Sequence, residues 1–415
     1  MGAGRHRFIP SPRPRKPGEL SWPHARSRDG DTSQPTAHRV RRADLVRGDH
    51  RQGAHPARSR RTALRPDGQA PRRGLAAGAR RLQDRAHPRP VTTSAPGPIR
   101  VAHLADLHIG SALRGLADHP GAPAIDPYEA PYEALRAAVR HIVGDGYHAV
   151  LLAGDVFDRR HDDARALAAC QDALGAFHEA GLRTAVVSGN HDAESPLPHK
   201  LHLPPSVRWL PADAPASVCW PDLGITVHGQ SVGDPDERRD LAAGYPRPVP
   251  GTVNIGLLHT SLHGAWSRRT CAPTDPRTLA RAGYDYWALG HVHHRLVPGT
   301  GAFAVYPGNT HARGPGEPGG RGFTELRIGA GGRIGIRQVD TAPVRYEDLH
   351  LPCPETAEAD LRARFAAVPP PPPGGAVVWT LTAATPPGLL GPARALAGPG
   401  AMVCPAPGEP LRPQH

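Results

Sequence analysis

The fold is decided by residues 149–158, which read AVLLAGDVFD. Five consecutive apolar residues are followed at once by a glycine and an aspartate, which is typical of a buried strand that ends in a polar loop. Two further strand candidates lead into polar turns, Ile99–Ala105 in IRVAHLADLH and Thr184–Val187 in TAVVSGNHD, and apolar residues at helical spacing separate the three segments, over Tyr132–Val143 and Ala164–Ala180. Strand–helix–strand alternation of this kind predicts a parallel or mixed sheet with helices outside.

The chain after Pro204 turns strand-rich, which predicts a second sheet. We therefore expect an α/β sandwich in which two mixed sheets face each other and helices cover their outer faces. In open α/β sheets the functional loops lie at the carboxyl ends of the strands. The predicted strands are Ile225–His228, Val253–His259, Tyr286–Leu289, Phe303–Tyr306, Phe323–Ile328 and Ile334–Val339.

Positive charge is concentrated in the first quarter of the chain. Residues 1–98 hold 22 Lys or Arg against 7 Asp or Glu, whereas residues 99–415 hold 28 against 31. Because the first segment is rich in Arg, Pro and Gly and has no apolar period, we expect it to be disordered. Two interpretations stay open: a basic arm that holds nucleic acid through its phosphates, or an untranslated extension, with the true start near Val91.

The other end of the chain is also unusual in composition. Residues 346–415 are rich in Pro and Gly, with a polyproline spacer at Pro369–Pro373 and one strand candidate at Val377–Leu381. We interpret this segment as a truncated or degraded C-terminal cap. The predicted organisation is a disordered extension over 1–98, a catalytic domain over 99–345 and a cap remnant over 346–415.

Several classes of protein are disfavoured by the sequence. No apolar run reaches the roughly 18 residues that a membrane span needs, and the N-terminus lacks the apolar region of a secretory signal. The cysteines are far apart and form no CxxC pair, which argues against a disulfide framework and fits a reducing cytoplasm. They are Cys170, Cys219, Cys271, Cys353 and Cys404.

Five polar clusters follow predicted strands, so each is expected at the same edge of the sheets. Taken singly, each has a plain explanation: a histidine after a strand is usually a surface residue, an aspartate is usually a helix N-cap, and Gly-Asn is usually a turn. Five such clusters in one order argue against a chance arrangement. They are Asp106-Leu107-His108, Gly154-Asp155-Val156-Phe157-Asp158, Gly189-Asn190-His191-Asp192, His259 and Gly290-His291-Val292-His293.

The residue types in these clusters point to metal chemistry. Carboxylate and imidazole together suit cations such as Mn²⁺, Fe²⁺ or Zn²⁺, and no cysteine belongs to any cluster. Two cations about 3.5–4 Å apart can clamp the attacking and leaving oxygens of an in-line displacement at phosphorus. A carboxylate has two oxygens and can bridge such a pair, and Asp155 is the predicted bridge.

The order DxH, GDxxD, GNHD, a single His and GHxH resembles the calcineurin-like metallophosphoesterase superfamily. Within it, the phrases HLADLHIGSAL, LLAGDVFDRR, YDYWALGHVHHR and VYPGNT are similar to those of SbcD/YhaO-type DNA repair exonucleases. The resemblance covers residues 99–345. It implies the four-layer fold of that superfamily and hydrolysis of a phosphate ester, with DNA as the expected substrate.

The resemblance also implies a role for each motif residue. Asp106, His108, Asp155 and His293 would bind a first divalent cation; Asp155, Asn190, His259 and His291 would bind a second, with Mn²⁺ expected and Fe²⁺, Zn²⁺ or Mg²⁺ as alternatives. His191 would stand near the scissile phosphate, where it stabilises charge or protonates the leaving oxygen. Asp192 is assigned to the catalytic set because it can orient His191, although a turn residue is an equal explanation.

Other residues near the motifs have less specific interpretations. Asp158 either belongs to the motif or caps the next helix. Asn309 follows Gly308 in a turn, with a role at the edge of the site as the less favoured alternative, and His311 is expected to be solvated. Basic residues that flank the motifs either meet DNA phosphates or form charged loops; they are Arg159, Arg160 and Arg295.

Two alternatives to a DNA exonuclease stay open. The first is another phosphoesterase: a phosphoprotein phosphatase, a cyclic-nucleotide phosphodiesterase or a nucleotidase. Protein phosphatases usually show GDxVDRG and GNHE, where this chain has GDVFDRR and GNHD. The second is a non-catalytic nucleic-acid-binding subunit, against which stands the presence of all seven expected ligands. For the exonuclease, the resemblance implies an SbcC-like coiled-coil ATPase as partner and a homodimer.

Overall fold

The computed structural model describes residues 97–114, 125–158, 163–262, 269–299, 301–349, 358–369, 375–381, 393, 395 and 401–405. The predicted disordered extension lies outside these residues, apart from its last two. The strands are β1 Ile99–Leu104, β2 Ala149–Ala153, β3 Arg183–Val187, β4 Val207–Trp209, β5 Ala216–Trp220, β6 Ile225–Gly229, β7 Val253–His259, β8 Tyr286–Gly290, β9 Ala304–Val305, β10 Gly322–Ile328, β11 Ile334–Asp340, β12 Val344–Leu349, β13 Ala376–Leu381 and β14 Ala401–Pro405.

Two long helices follow the predicted periodicity. The apolar spacing that predicted the first helix buries Leu135, Val139 and Ile142 on one face. The second helix begins at a cap, because the Asp163 carboxylate accepts a hydrogen bond from the Arg165 backbone N–H at 2.8 Å. The helices are α1 Ala130–Gly144, α2 Ala164–Glu179, α3 Asn190–Glu194, α4 Pro276–Ala282 and α5 Glu358–Ala367, with short 3₁₀ turns at Pro198–Lys200, Leu241–Gly244 and Ala330–Gly332.

The strands form two large mixed sheets. The first has the order β11-β10-β1-β2-β3-β4, in which β1 to β4 are parallel and β10 pairs antiparallel with both β1 and β11. The second has the order β5-β6-β7-β8-β9, with β6 to β9 parallel and β5 antiparallel at one edge. Every residue of β2, β7 and β8 is buried, as expected for parallel strands covered on both faces.

The sheets pack face to face around one core, and helices cover their outer sides. Leu151 from the first sheet and Leu257 and Ala288 from the second belong to the shared apolar cluster. The face of β2 that carries Leu152 packs against Leu135 of α1 and Leu174 of α2. On the other side, α4 covers the second sheet, where the Trp287 indole N–H donates to the Leu279 carbonyl at 3.2 Å. The predicted four-layer sandwich is confirmed.

A third, three-stranded parallel sheet forms from the C-terminal segment, in the order β12-β13-β14. It joins the rest of the described chain through Tyr346, whose hydroxyl donates to the Arg114 carbonyl and whose carbonyl accepts from the Gly319 N–H. The strand predicted over 377–381 is β13, whereas β12, β14 and α5 were not predicted. Whether this segment is a remnant of a larger cap stays a prediction.

Among the described residues, no helix combines the length and the apolar character that crossing a membrane requires.

Candidate metal centre

The ends of five strands deliver the predicted ligands to one place. Asp106 and His108 follow β1, Asp155 follows β2, and Asn190 opens α3 directly after β3. From the facing sheet, His259 is the last residue of β7, and His291 and His293 follow β8. Because β1, β2 and β3 are parallel to one another, as are β7 and β8, their carboxyl ends meet at the same edge of the sandwich.

The loops that carry these side chains have a strained backbone. The φ angle is 52° at Asp106, 43° at His108, 51° at Asp155 and 99° at His291. Left-handed conformations of non-glycine residues cost roughly 1–3 kcal/mol each and persist where the surrounding structure holds them. Among the described residues, Ala272 is the one other non-glycine position with positive φ. Backbone strain is therefore concentrated at this site.

Two motif glycines are required by close approach. A Cβ at Gly290 would lie 1.8 Å from the Ala153 carbonyl oxygen, and one at Gly189 would lie 2.2 Å from the Asp155 Oδ1 atom. Any larger residue would push the β3 and β8 loops away from β2. The glycines of GNHD and GHxH are thus explained by packing between the loops, before any ligand is considered.

Asp155 lies between two groups of donor atoms. Its Oδ2 atom is 3.8 Å from His108 Nε2 on one side and 3.5 Å from His259 Nε2 on the other. On the first side, donor atoms of Asp106, His108 and His293 lie within 4.8 Å of one another, and the two Nε2 atoms of His108 and His293 are 3.1 Å apart.

The second group surrounds His259 Nε2. Besides Asp155, the Asn190 Oδ1 atom lies 3.3 Å from it and the His291 Nδ1 atom also lies 3.3 Å from it. The other ring nitrogens are already used as donors: His259 Nδ1 to the Ala153 carbonyl at 2.9 Å and His291 Nε2 to the Arg269 carbonyl at 2.7 Å. Both facing nitrogens are therefore left with lone pairs, which repel each other unless a cation lies between them.

Burial favours the neutral form of two of these imidazoles, those of His108 and His291, as a cation ligand requires. Desolvation, followed by the nearby His293 and His191 rings, holds the pKa of His108 well below its usual range. Desolvation, then His259, lowers the pKa of His291 to about 4. Desolvation also raises the pKa of Asp106 to about 6, against the attraction of His293 and His259.

The residues present fit a pair of divalent cations. Acceptor atoms from carboxylate, amide and imidazole converge in two groups that share Asp155, and His108 Nδ1 is buried without a hydrogen-bond partner. All seven predicted ligands lie in this one region, so the predicted cage is geometrically consistent. Their role as ligands stays a prediction.

His191 is beside the site, but its partner is not the one expected. Its Nδ1 atom is 2.7 Å from Asp158 Oδ1, and Asp158 in turn forms an ion pair with Arg313 at 3.2 Å. Asp158 does not cap α2, because Asp163 does so. The carboxylate that orients the His191 ring is therefore that of Asp158.

The role expected for Asp192 is wrong. Its carboxylate accepts hydrogen bonds from three backbone N–H groups, those of Val156, Phe157 and Gly189, at 3.1, 2.9 and 2.9 Å. These bonds tie the β2 loop to the start of α3. Asp192 therefore supports the site through the backbone and does not orient the His191 ring.

A partly buried network behind His293 was not anticipated. The His293 Nδ1 atom lies 2.6 Å from Glu317 Oε1, while Glu317 Oε2 accepts from Asn309 Nδ2 at 2.6 Å. The Asn309 Oδ1 atom then accepts from Arg321. Burial would raise the pKa of Glu317, but the hydrogen bond with His293 and the charge of that ring outweigh burial and lower the pKa to about 2. Glu317 fixes which nitrogen of His293 faces the site.

One expectation about a neighbouring residue is corrected, and the surroundings of another become visible. His311 is buried at 2% exposure and is not solvated. Arg295 turns to Gln338 on β11, which it contacts through its guanidinium. Arg159 and Arg160 lie outside the described residues. A lone sequence position carries little information about such packing, because it depends on what the distant strands bring beside it.

A buried cysteine beside the expected ligands was not anticipated. Cys271 is fully buried, and its sulfur lies within 4.8 Å of a ring nitrogen of His259 and of His291. It stands 12 positions after His259, outside every strand-end motif, so the sequence offered no signal for it.

Comparisons with known proteins agree with this geometry. Residues 99–295 match the family model of the calcineurin-like phosphoesterases. The uncharacterized metallophosphoesterase YhaO of Bacillus subtilis is 29% identical over 230 residues, which cover 54% of this chain and 56% of that protein. The DNA double-strand break repair protein Mre11 of Methanopyrus kandleri is 27% identical over 236 residues, covering 51% and 48%. The chain thus spans about half the length of the curated relatives it matches.

Solved structures with a similar fold include TT1561 of Thermus thermophilus, with a TM-score of 0.35 and 14% identity over 58% of this chain and 99% of that one. A dimetal phosphatase from Danio rerio has a TM-score of 0.35 and 12% identity over 61% and 99%.

Proposed function

Because residues 99–295 of this chain belong to the calcineurin-like phosphoesterase family, we propose that the chain is a two-metal phosphodiesterase that cuts DNA as an exonuclease. The family expected from the motifs is thereby confirmed, and metal-dependent hydrolysis of a phosphoester follows from it. The observation that carries the proposal is the position of the Asp155 carboxylate, 3.8 Å from His108 Nε2 and 3.5 Å from His259 Nε2.

The proposed ligand sets follow the two groups of donors. A first divalent cation is held by Asp106, His108, Asp155 and His293, and a second by Asp155, Asn190, His259 and His291, with Mn²⁺ as the expected metal. Two such cations supply an activated water and neutralise the charge of the phosphate. The protein contributes the shared carboxylate, the neutral imidazoles and the loops that hold them in place.

His191 is the proposed acid for the leaving oxygen. Its ring is 13% exposed and borders the cluster, with Nε2 3.9 Å from Asp155 Oδ2. Because Asp158 holds the Nδ1 side, the Nε2 side is turned toward the place where a phosphate would bind. An imidazole there can pass a proton to the departing alkoxide, and the carboxylate of Asp158 stabilises the ring while it is charged.

DNA as the substrate is supported by two observations. One of the two relatives is described as a DNA double-strand break repair protein, and the motif phrases resemble those of the nuclease branch. A coiled-coil ATPase of the SbcC type, a homodimeric assembly and a cytoplasmic location complete the proposal. The competing function is cleavage of another phosphoester. The motifs GDVFDRR and GNHD distinguish this chain from protein phosphatases, but they do not distinguish it from other phosphoesterases.

The test is a nuclease assay with full-length protein, Mn²⁺ and end-labelled duplex and hairpin DNA. A bis-aryl phosphodiester and an aryl phosphomonoester are assayed beside them. We expect cleavage from a DNA end and turnover of the diester above the monoester, both abolished by Asp155→Ala. A preference for the monoester with intact DNA would replace the nuclease by a phosphatase. Salt-sensitive DNA binding with no cleavage under any metal would replace it by a binding subunit.

A further inference from the structure

Cys271 lies against the second group of donor atoms. Its sulfur, a ring nitrogen of His259 and a ring nitrogen of His291 are all within 4.8 Å of one another, and all three residues are buried. Zn–S bonds are about 2.3 Å and Zn–N bonds about 2.0–2.1 Å, so a sulfur and a nitrogen on one tetrahedral cation lie about 3.6 Å apart. The separations here, at most 4.8 Å, exceed that spacing by no more than about 1.2 Å.

The backbone at Cys271 is held in place on both sides of the residue. The Cys271 N–H donates to the Ser261 hydroxyl at 2.9 Å, and its carbonyl accepts from the Ser261 N–H at 2.8 Å. The next residue, Ala272, has φ 39° and offers its carbonyl to the Thr260 hydroxyl at 2.6 Å. Thr260 and Ser261 follow His259 directly, so the strand that presents the imidazole also anchors the thiol.

The chemistry around the sulfur favours a cation over a hydrogen bond. His259 and His291 point lone pairs at each other across 3.3 Å, and their other nitrogens are engaged by backbone carbonyls. No described residue forms a hydrogen bond with the Cys271 sulfur, and the side chain is 0% exposed. A buried thiol beside two imidazole lone pairs is the donor set that soft and borderline cations prefer.

We propose that Cys271 is a ligand of the second cation, so that this position, unlike the first, selects Zn²⁺ or Fe²⁺ over the Mn²⁺ expected for the pair and over Mg²⁺. The proposal rests on the proposed metal site and deepens it, because it gives the two positions different chemistry. On binding, the sulfur–metal bond forms, the S–H bond breaks and the thiol proton passes to solvent. The first position, with Asp106, His108 and His293, has no cysteine among its described neighbours and keeps the harder donor set.

Cobalt provides a direct test that needs no catalysis. Metal-free, full-length protein is titrated with Co²⁺ and followed in the near ultraviolet, where thiolate-to-cobalt charge transfer absorbs. We expect the wild type to bind two equivalents of Co²⁺ and the band to appear with one of them. The band should be absent from Cys271→Ser and Cys271→Ala. Cys170→Ala is the matched control, because Cys170 is equally buried, at 2% exposure, and belongs to no group of metal donors among the described residues.

Competition between metals tests the selectivity. For Cys271→Ala we expect Zn²⁺ to bind the second position about tenfold or more weakly, in the range seen when a metal site loses a supporting group, while Mn²⁺ affinity changes by less than about threefold, because Mn²⁺ prefers oxygen donors. Thermal unfolding of the metal-free variants checks that each folds. The proposal would be overturned if the wild type bound two equivalents of Co²⁺ without the charge-transfer band, or if the band persisted in Cys271→Ala.

The outcomes separate this proposal from the proposed function. A protein that shows the band but cuts no DNA supports the cysteine ligand and contradicts the DNA nuclease. A protein that binds no Co²⁺ overturns both.

Discussion

Asp158 and Asp192 lie close together in the site loops but have different hydrogen-bond partners. The Asp158 carboxylate contacts the His191 ring, whereas the Asp192 carboxylate holds three backbone N–H groups. Desolvation, then the nearby Asp155, raises the pKa of Asp192 to about 7 despite those bonds. From sequence alone the two were not distinguishable, since both follow strand ends at similar spacing.

Substitution separates their roles. Asp158→Asn should lower kcat by about tenfold or more, and His191→Ala by about 10²–10⁴-fold, the usual contribution of a general acid. Both should still bind two equivalents of metal, measured by elemental analysis of dialysed protein. Asp192→Asn should instead lower the midpoint of thermal unfolding, because it weakens the bonds between the β2 loop and α3. Wild-type kcat in Asp158→Asn would remove it from the catalytic apparatus.

Strand β10 carries a charged cluster that the pattern of apolar and polar residues along the strand did not predict. Glu325 is 0% exposed and accepts from Arg100 of β1 at 2.7 Å, from Arg327 at 2.8 Å and from Arg337 of β11 at 2.7 Å. Burial would raise the pKa of Glu325, but the three guanidinium groups outweigh it and lower the value to about 2. The three strands are thus joined by charge on one face of the sheet.

The lowered pKa predicts how this cluster depends on pH. Its contribution to stability is complete above the ordinary glutamate pKa of about 4.3 and is lost as pH falls toward the folded pKa of about 2. Arg327 and Arg337 are about half exposed, so solvent weakens these ion pairs. We therefore expect the charges of the cluster to contribute about 1 kcal/mol to the free energy of unfolding. In urea unfolding of metal-free protein, Glu325→Gln should lower the free energy of unfolding by this amount at pH 6 and by less at pH 3.5.

The control for Glu325 is Asp222→Asn, which alters a surface pair with Arg183 in which both side chains are roughly half exposed. It should change little at either pH. An equal loss for Glu325→Gln at both pH values would mean that packing, rather than charge, accounts for its effect.

The elements that the sequence predicted well are the long, central ones. Strands β1, β2, β3 and β7 and helices α1 and α2 were predicted to within two residues, because their apolar period is set by burial on one or both faces. The elements that were missed are short or peripheral, such as β4, β5 and α4. Their residues are partly exposed, so the pattern of apolar residues is too weak to define them.

The proposed metal site lies between the two halves of the sandwich. Asp106, Asp155 and Asn190 come from loops of the first sheet, and His259 and His291 come from the second. Cations bound between them should therefore stabilise the packing of one sheet on the other. The acceptor-rich cluster, which repels itself when empty, should also loosen once metal is removed.

Metal removal should consequently lower the unfolding temperature. At a free metal concentration of 100 Kd, one site contributes about 2.7 kcal/mol, which corresponds to a rise of about 5–10 °C for a domain of this size. We expect scanning calorimetry to show this rise in the wild type and in Asp158→Asn, and to show little of it in Asp155→Asn. An equal rise in Asp155→Asn would mean that the cations bind elsewhere.

The sequence by itself determined the family and the central strands, and it predicted the seven residues that the fold brings to one edge of the sandwich. It could do so because a buried parallel strand demands a continuous apolar run, and a metal donor at its carboxyl end must follow that run directly, as in AVLLAGD and VVSGNHD. Both constraints act on neighbouring positions, so they leave a readable pattern.

The partners of those residues were decided by packing between distant segments. Asp158 rather than Asp192 holds His191, Glu317 holds His293 across 24 positions, and Cys271 reaches the second group of donors from a loop anchored to Ser261. Such contacts depend on how loops from two sheets meet in space. No local pattern is required for them, because a side chain needs only the right position in three dimensions to make its bond.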